Sequence, residues 1–120
     1  MQTQRQRLGQ KAEDLAAIHL ERRGAIVLLR NYRRRLGELD LVARQGDILI
    51  IVEVRTRTSE RFGGAAASVD RHKQRRIVRA SQQLLQEHPQ LSRLRVRYDV
   101  AVVTNATGNQ PHVGWLQHAF

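Results

Sequence analysis

The stretch GELDLVARQGDILIIVEVRTR, Gly37–Arg57, decides the fold of this 120-residue chain. Its apolar residues predict two β-strands, at Glu38–Arg44 and Ile48–Thr56, joined by a tight hairpin. The second strand is apolar at almost every position, which is typical of a central strand covered on both faces. Carboxylates are costly beside a buried sheet unless something compensates them. Asp40 and Glu53 therefore need a physical explanation.

The hairpin register decides whether Asp40 and Glu53 meet. With a two-residue turn at Gln45-Gly46, Asp40 lies opposite Ile51. Because side chains alternate between the two faces of a strand, Asp40 then shares a face with Glu53 and Arg55. A turn one residue longer would send the two carboxylates to opposite faces.

Two explanations for these acids stay open at the level of spacing. Asp40, Glu53 and Arg55 could satisfy one another as an ion cluster without a metal. Alternatively, a bound cation relieves the repulsion between the two carboxylates, and Mg²⁺ or Mn²⁺ takes such oxygen ligands together with water and phosphate. Glu13 lies beside the apolar stripe of the first predicted helix, where it would either face the sheet or reach solvent. Lys73 lies within the apolar stripe of the second predicted helix, where it needs a partner or extends to water.

Charge narrows the class of partner. The chain has 21 basic and 11 acidic residues, which gives a net charge of +10. Only Lys11 and Lys73 are lysines, and arginine suits bidentate phosphate contacts. This balance favours nucleic acid first and an anionic membrane second. A coding bias towards arginine would give the same composition.

Other features of the composition exclude several classes of protein. The chain has no cysteine, so disulfides and thiolate metal sites are excluded. No apolar run reaches the length of a membrane span, and the first ten residues lack the apolar core of a signal peptide. We therefore expect a cytoplasmic protein that does not bind a membrane, with one compact domain over residues 1–120.

The whole chain predicts the order α-β-β-β-α-β-β, an α/β fold with a mixed sheet. The loop RTSERFGGAAAS, from Arg57 to Ser68, is rich in turn-forming and small residues. The elements outside the hairpin are helices at Leu8–Arg23 and Ser68–His88 and strands at Ala25–Tyr32, Leu94–Val103 and His112–Leu116.

An ordered set of motifs runs along the chain. The motifs are Gly9-x-x-x-Glu13, Asn31, GELD at Gly37–Asp40, VEVR at Val52–Arg55, Arg57, FGG at Phe62–Gly64, Lys73 and RYDV at Arg97–Val100. Together they resemble the YraN-like family of small bacterial proteins, which belongs to the PD-(D/E)XK nuclease superfamily, and more distantly the archaeal Holliday junction resolvases. The resemblance implies a restriction-endonuclease-like α-β-β-β-α-β core, a mixed central sheet flanked by helices, as a single nuclease-like domain.

The resemblance also implies a metal centre. Glu13 matches the helix glutamate of the superfamily, Asp40 its aspartate, and Glu53 the glutamate of its E-x-K pair. In this interpretation Asp40 and Glu53, with the carbonyl of Val54, hold Mg²⁺ or Mn²⁺, and Glu13 binds a second ion or a metal-bound water.

Arg55 departs from the superfamily pattern, since it stands where the motif has lysine. Arginine supplies charge and hydrogen bonds to a developing phosphorane, but it cannot act as a base. Lys73, the second-helix lysine of the family, would supplement it. Glu13, Asp40, Glu53, Arg55 and Lys73 are thus the predicted catalytic residues.

The expected function is that of a metal-dependent DNA endonuclease, or a structure-specific nuclease-like protein, that hydrolyses phosphodiester bonds. The alternative is a non-catalytic nucleic-acid-binding protein on a nuclease scaffold, and a third class is an adaptor that binds a protein partner. Analogy with the resolvases points to branched DNA and to a homodimer. The residues expected to contact the nucleic-acid backbone are Arg33, Arg34, Arg35, Arg71, Arg75 and Arg76.

Overall fold

The computed structural model of the chain describes residues 1–57 and 69–120. In chain order its elements are α1 (Gln4–Arg22), β1 (Ile26–Arg34), β2 (Gly37–Gln45), β3 (Ile48–Arg57), α2 (Arg71–Glu87), a short 3₁₀ helix (Pro89–Arg93), β4 (Arg95–Thr104) and β5 (His112–Leu116). The predicted order of helices and strands is confirmed. The predicted loop after Arg57, its FGG motif and the predicted helix start at Ser68 lie outside the described residues.

The five strands form one mixed sheet in the order β1-β2-β3-β4-β5. Neighbouring strands are antiparallel except for β3 and β4, which are parallel, because the chain crosses over through α2 between them. β3 lies at the centre and is covered on both faces, as its apolar sequence predicts. Ile50 and Val52 belong to the core under α1, whereas Leu49 and Ile51 belong to the core under α2.

Helix α1 begins at Gln4, one turn before the predicted Leu8. Thr3 caps it: the Thr3 hydroxyl accepts from the Gln6 N–H at 3.1 Å, and the Gln6 side chain accepts from the Thr3 N–H at 2.9 Å. This reciprocal pair satisfies two amide donors that would otherwise lack partners at the helix start. The extra turn extends α1 beyond the apolar stripe that the sequence indicated.

The predicted hairpin turn at Gln45-Gly46 is wrong by one position. Gln45 pairs with Ile48, so the turn residues are Gly46 and Asp47. Gly46 has φ +61°, which glycine adopts without steric cost at the first central position of a tight hairpin.

This shift also corrects the predicted partner of Asp40. Val42, and not Asp40, lies opposite Ile51, and the pairing continues to Leu41 opposite Val52. Carried one step further, the register sets Asp40 opposite Glu53. Because the pairing moved by two residues, each side chain kept its face, and the two acids still share one side of the hairpin.

Gly37, the glycine of the GELD motif, marks a close approach of β2 to α2. A Cβ at this position would collide with the carbonyl oxygen of Arg76. The first residue of β2 therefore packs directly on the backbone of α2. This contact fixes the helix at the end of the hairpin where Asp40 lies.

Candidate functional site

A cleft of about 820 Å³ opens at the end of the β2–β3 hairpin farthest from its turn. Residues of α1, β1, β2 and β3 form its walls. The charged and amide side chains that line it include Glu13, Arg30, Asn31, Asp40, Arg55 and Arg57. Three of the predicted catalytic residues, Glu13, Asp40 and Arg55, therefore line one cavity.

Asp40 lies among like charges in this cleft. Its Oδ2 accepts a hydrogen bond from the Val54 N–H at 2.8 Å. Burial, followed by the negative charge of Glu53, raises the pKa of Asp40 to about 7, and a hydrogen bond with Glu53 and the charge of Glu13 add to the rise. The Val54 N–H opposes this rise. The two carboxylates that the sequence predicted to meet are direct neighbours.

Glu53 is held by two cations. Its side chain is 5% exposed, and its Oε1 lies 2.8 Å from Lys73 Nζ and 3.8 Å from Arg55 Nη2. Lys73 comes from the first turn of α2, where the side chain of Asp70 accepts from the Lys73 N–H and starts the helix. The lysine therefore faces the sheet, and it contacts Glu53 more closely than Arg55 does.

Glu13 faces the cleft from α1 and is held by β1. Its Oε1 accepts from Asn31 Nδ2 at 2.8 Å and from Arg30 Nε at 3.4 Å. Arg30 also donates to Asp14 Oδ1 through its Nη2. Glu13 is thus directed towards the sheet rather than towards solvent, which resolves the alternative that its spacing left open.

Asn31 is a site residue to which the sequence assigned no role. It has φ +54° within β1, a left-handed conformation that asparagine tolerates better than most residues. Its neighbours Arg30 and Tyr32 pair with Leu41 and Leu39, so Asn31 lies across from Asp40. Its place in the ordered motif set was the available signal, because no periodicity predicts a kink in a strand.

Arg57 also lines the cleft. Its Nε is buried and has no hydrogen-bond partner within the described ranges 1–57 and 69–120. Arg57 belongs to the ordered motif set but was not predicted to be a site residue. Arg55, two residues earlier, was predicted to share a face with Asp40 and Glu53 and to occupy the position of the motif lysine.

The predicted backbone-binding arginines differ in their surroundings. Arg34 binds both carboxylate oxygens of Glu87 at 3.1 Å, and its guanidinium lies 4.1 Å from the centre of the Tyr32 ring. The Tyr32 hydroxyl binds the same carboxylate. Arg34 therefore ties β1 to the end of α2, and its charge is already neutralised.

The other five arginines of that set are exposed on the surface. Arg33 forms a loose pair with Glu38, with 3.6 Å between Nε and Oε2. In the described part of the chain, none of the remaining four pairs with a carboxylate. These four are Arg35, Arg71, Arg75 and Arg76.

The donor set of the cleft bears on metal binding. Among the described residues, no three histidine, cysteine or acidic side chains converge as a ready-made metal site. The site offers two neighbouring carboxylates, Asp40 and Glu53, with Glu13 beyond them. Val54 meets Asp40 through its N–H, and coordination by its carbonyl stays a prediction.

Neither described helix has the length and apolar character needed to cross a membrane. This agrees with the absence of long apolar runs from the sequence.

A family model and individual relatives assign the chain to the same protein family. The family model described as "Uncharacterised protein family UPF0102" matches residues 12–103. A UPF0102 protein of Xanthomonas campestris pv. campestris is 44% identical over 120 residues, which cover 100% of this chain and 96% of the relative. A UPF0102 protein of Pseudomonas aeruginosa is 39% identical over 113 residues, covering 93% and 90%. The chain belongs to the UPF0102 family, the YraN-like family that its motifs resemble.

Proposed function

We propose that this protein is a metal-dependent phosphodiesterase that cleaves DNA, built on a restriction-endonuclease-like core of the PD-(D/E)XK type. One observation carries the proposal: Asp40, which lines an open cleft, is the direct neighbour of the buried Glu53, and burial together with the negative charge of Glu53 raises the pKa of Asp40 to about 7. A fold does not fix a function, so the argument rests on this cluster.

The cluster fits a divalent cation. Its donors are carboxylate oxygens, which Mg²⁺ and Mn²⁺ prefer, and Mg²⁺ is commonly bound by one or two carboxylates together with water and substrate phosphate. Asp40 and Glu53 would hold the ion, and Glu13 would hold a second ion or a metal-bound water. When bound, such an ion polarises the phosphate and lowers the pKa of the attacking water.

The cations of the site have a separate task. Lys73 and Arg55 both contact Glu53, so they lie beside the position that a phosphate would take next to this carboxylate. There they stabilise the negative charge that develops in the transition state. Arginine does not serve as a general base, so the contribution of Arg55 is limited to charge and hydrogen bonding.

The substrate class follows from charge. The net charge of +10 attracts a polyanion, and arginine suits phosphate contacts. Contacts of this kind position a nucleic acid without reading its sequence. A cleft lined by both acids and arginines matches a phosphodiester better than an acidic protein.

The test is single-turnover cleavage of linear, flapped and four-way DNA with Mg²⁺ or Mn²⁺. The native chain should cut at least one substrate only when metal is present, and Glu53→Gln should abolish cutting. Asp47→Asn is the matched control, because Asp47 is an exposed carboxylate in the hairpin turn, paired with Arg95 at 3.4 Å. Absence of cutting by the native chain, or full activity of Glu53→Gln, would refute the proposal.

A second candidate is a DNA-binding protein without catalytic activity on the same scaffold. The close Lys73–Glu53 pair, at 2.8 Å, favours it, since this lysine neutralises one of the two acids without any metal. Such a protein binds DNA with an affinity that falls steeply with salt and cuts no substrate. An affinity indifferent to salt would point instead to a protein partner.

A further inference from the structure

A second groove, of about 540 Å³, runs along α2 away from the acidic cleft. Helix α2 contributes Arg71, Arg75 and Arg79 to its lining, and Tyr98 of β4 and Phe120 contribute two aromatic residues. Basic and aromatic residues thus line a single depression. Neither the cation site nor the ion pairs of the core use these residues.

The arginine side of the groove is a regular row. Arg71, Arg75 and Arg79 follow one another at intervals of four, so they lie on one stripe of α2 and span about 12 Å along its axis. All three are exposed. Where the structure describes the chain, none pairs with a carboxylate, in contrast to Arg34 and its bond with Glu87.

The aromatic side of the groove is a rigid platform. Tyr98 and Phe120 stack with 5.2 Å between ring centres and 20° between planes. The Tyr98 hydroxyl is bound to Ser81 Oγ at 2.7 Å, and the Ala119 N–H donates to the Tyr98 carbonyl at 2.8 Å. Both rings are half-buried and still line the groove.

We infer that this groove binds an unpaired segment of a DNA strand, with phosphates along the arginine row and a base against the Phe120–Tyr98 stack. Single-stranded nucleic acids are held by this combination of cations and aromatic platforms. A base inside a duplex has both faces covered, so only an unpaired base can add to the stack. Gln74 and Gln82, which also line the groove, carry amides that both donate to and accept from base edges.

Helix α2 connects the groove with the acidic pair. Lys73 of α2 reaches Glu53, the neighbour of Asp40, while Arg71 and Gln74 on either side of Lys73 line the groove. A strand bound in the groove therefore leads towards the acidic cluster. The inference rests on the proposed function for the class of its ligand and narrows it to DNA with an unpaired segment beside the cut.

Binding is measured without cleavage, by fluorescence anisotropy of labelled oligothymidylate and of a duplex of equal length, in EDTA. Phe120→Leu, which keeps an apolar contact on Tyr98, should weaken single-strand binding about 5- to 150-fold and change duplex binding little. Arg75→Gln should lower the salt slope for the single strand by about 0.7.

The matched charge control is Arg93→Gln, since Arg93 is an exposed arginine beyond the far end of α2. Native affinity of Phe120→Leu, or equal effects of Arg75→Gln and Arg93→Gln, would overturn the inference. So would binding of anionic vesicles in preference to DNA. If the groove variants bind the single strand as tightly as the native chain does, and the native chain cuts DNA, only this inference is refuted. If the variants weaken single-strand binding as expected, and the native chain cuts no DNA, only the proposed function is refuted.

Discussion

Two aspartates in the same sheet, the buried Asp99 and the partly buried Asp40, have opposite surroundings. Asp99, on β4, is fully buried and lies beside Val52 of β3 in the parallel register. Arg97 binds both of its oxygens, with Nε and Nη2 each at 2.9 Å. Trp115 Nε1 donates at 2.7 Å and the His118 N–H at 3.1 Å. This carboxylate is surrounded by donors.

Asp40 accepts one backbone hydrogen bond, from Val54, and otherwise meets the negative charges of Glu53 and Glu13. A buried carboxylate saturated with donors holds a structure together, and here Asp99 joins β4 to β5 and the residues that follow it. A buried carboxylate that faces other acids is stable only if it is protonated or shares a cation. The difference between the two clusters is the physical reason to assign function to one and architecture to the other.

The largest expected effect comes from removing the structural acid. Asp99→Ala leaves Arg97 buried, at 8% exposure, without its partner, which should lower the free energy of unfolding by about 3–5 kcal/mol. Urea denaturation measures this loss in the free energy of unfolding. Asp47→Asn, which breaks an exposed pair, should cost about 0–1 kcal/mol. If Asp99→Ala and Asp47→Asn lowered the free energy of unfolding equally, the structural role assigned to Asp99 would be wrong.

The second prediction concerns Arg55 in the functional cluster. If the native chain cuts DNA, Arg55→Ala should slow single-turnover cleavage about 10²–10³-fold by removing one transition-state contact. Metal affinity should be spared, and Arg55→Lys should retain or raise the rate because it restores the superfamily pattern. Cleavage by Arg55→Ala at the native rate would assign the charge stabilisation to Lys73 instead.

The third prediction is the pH dependence of stability that Asp40 contributes. The folded chain raises the pKa of Asp40 from 3.8 to about 7, through burial, Glu53 and Glu13, against the Val54 N–H. Protonated Asp40 therefore favours the fold at low pH, and this contribution is lost as the pH rises from about 4 through 7. The loss is on the order of a few kcal/mol, at about 1.4 kcal/mol for each unit of pKa.

Denaturation of the native chain and of Asp40→Asn across this range isolates the effect. The difference between their unfolding free energies should shift in favour of Asp40→Asn as the pH rises, because the amide cannot ionise. Lys73 and Arg55 neutralise Glu53 but leave Asp40 with its acidic neighbours. A constant difference between the two chains would mean that Asp40 is ionised in the folded state without cost.

The smallest effects concern neutralised and unneutralised surface charge. Arg35→Gln should reduce the salt slope of DNA binding by about 0.9, as loss of one phosphate contact does. Arg34→Gln should change this slope little, because Arg34 already binds Glu87. Replacing Arg33, Arg34 and Arg35 together should weaken binding to all sequences alike. Equal slopes for Arg34→Gln and Arg35→Gln would show that the Glu87 bond opens on binding.

Much of this arrangement follows from short-range patterns. The apolar run Ile48–Val54 predicted a covered central strand, and alternation predicted that Asp40 and Glu53 share a face. The prediction of a shared face is correct although the predicted turn position was wrong, because the error moved the pairing by two residues. An error of one would have separated the acids.

The remaining features depend on contacts between residues far apart in the chain. Three contacts join α2 to the sheet: the bond of Lys73 to Glu53, the pairing of Arg34 with Glu87, and the close approach that requires glycine at position 37. No local sequence pattern encodes them. The left-handed Asn31 belongs to this class as well, because its side chain binds Glu13 on a different element.

The central claim is that Asp40 and Glu53 form a cation site, and Mn²⁺ titration of the native chain and of Asp40→Asn by calorimetry tests it most directly. Thermal unfolding in the same buffers checks that both chains are folded. The account predicts saturable binding by the native chain and a stabilisation of about 2.7 kcal/mol at a concentration of 100 Kd, with both lost in Asp40→Asn. Equal Mn²⁺ affinity in the two chains, or no binding by either, would contradict it.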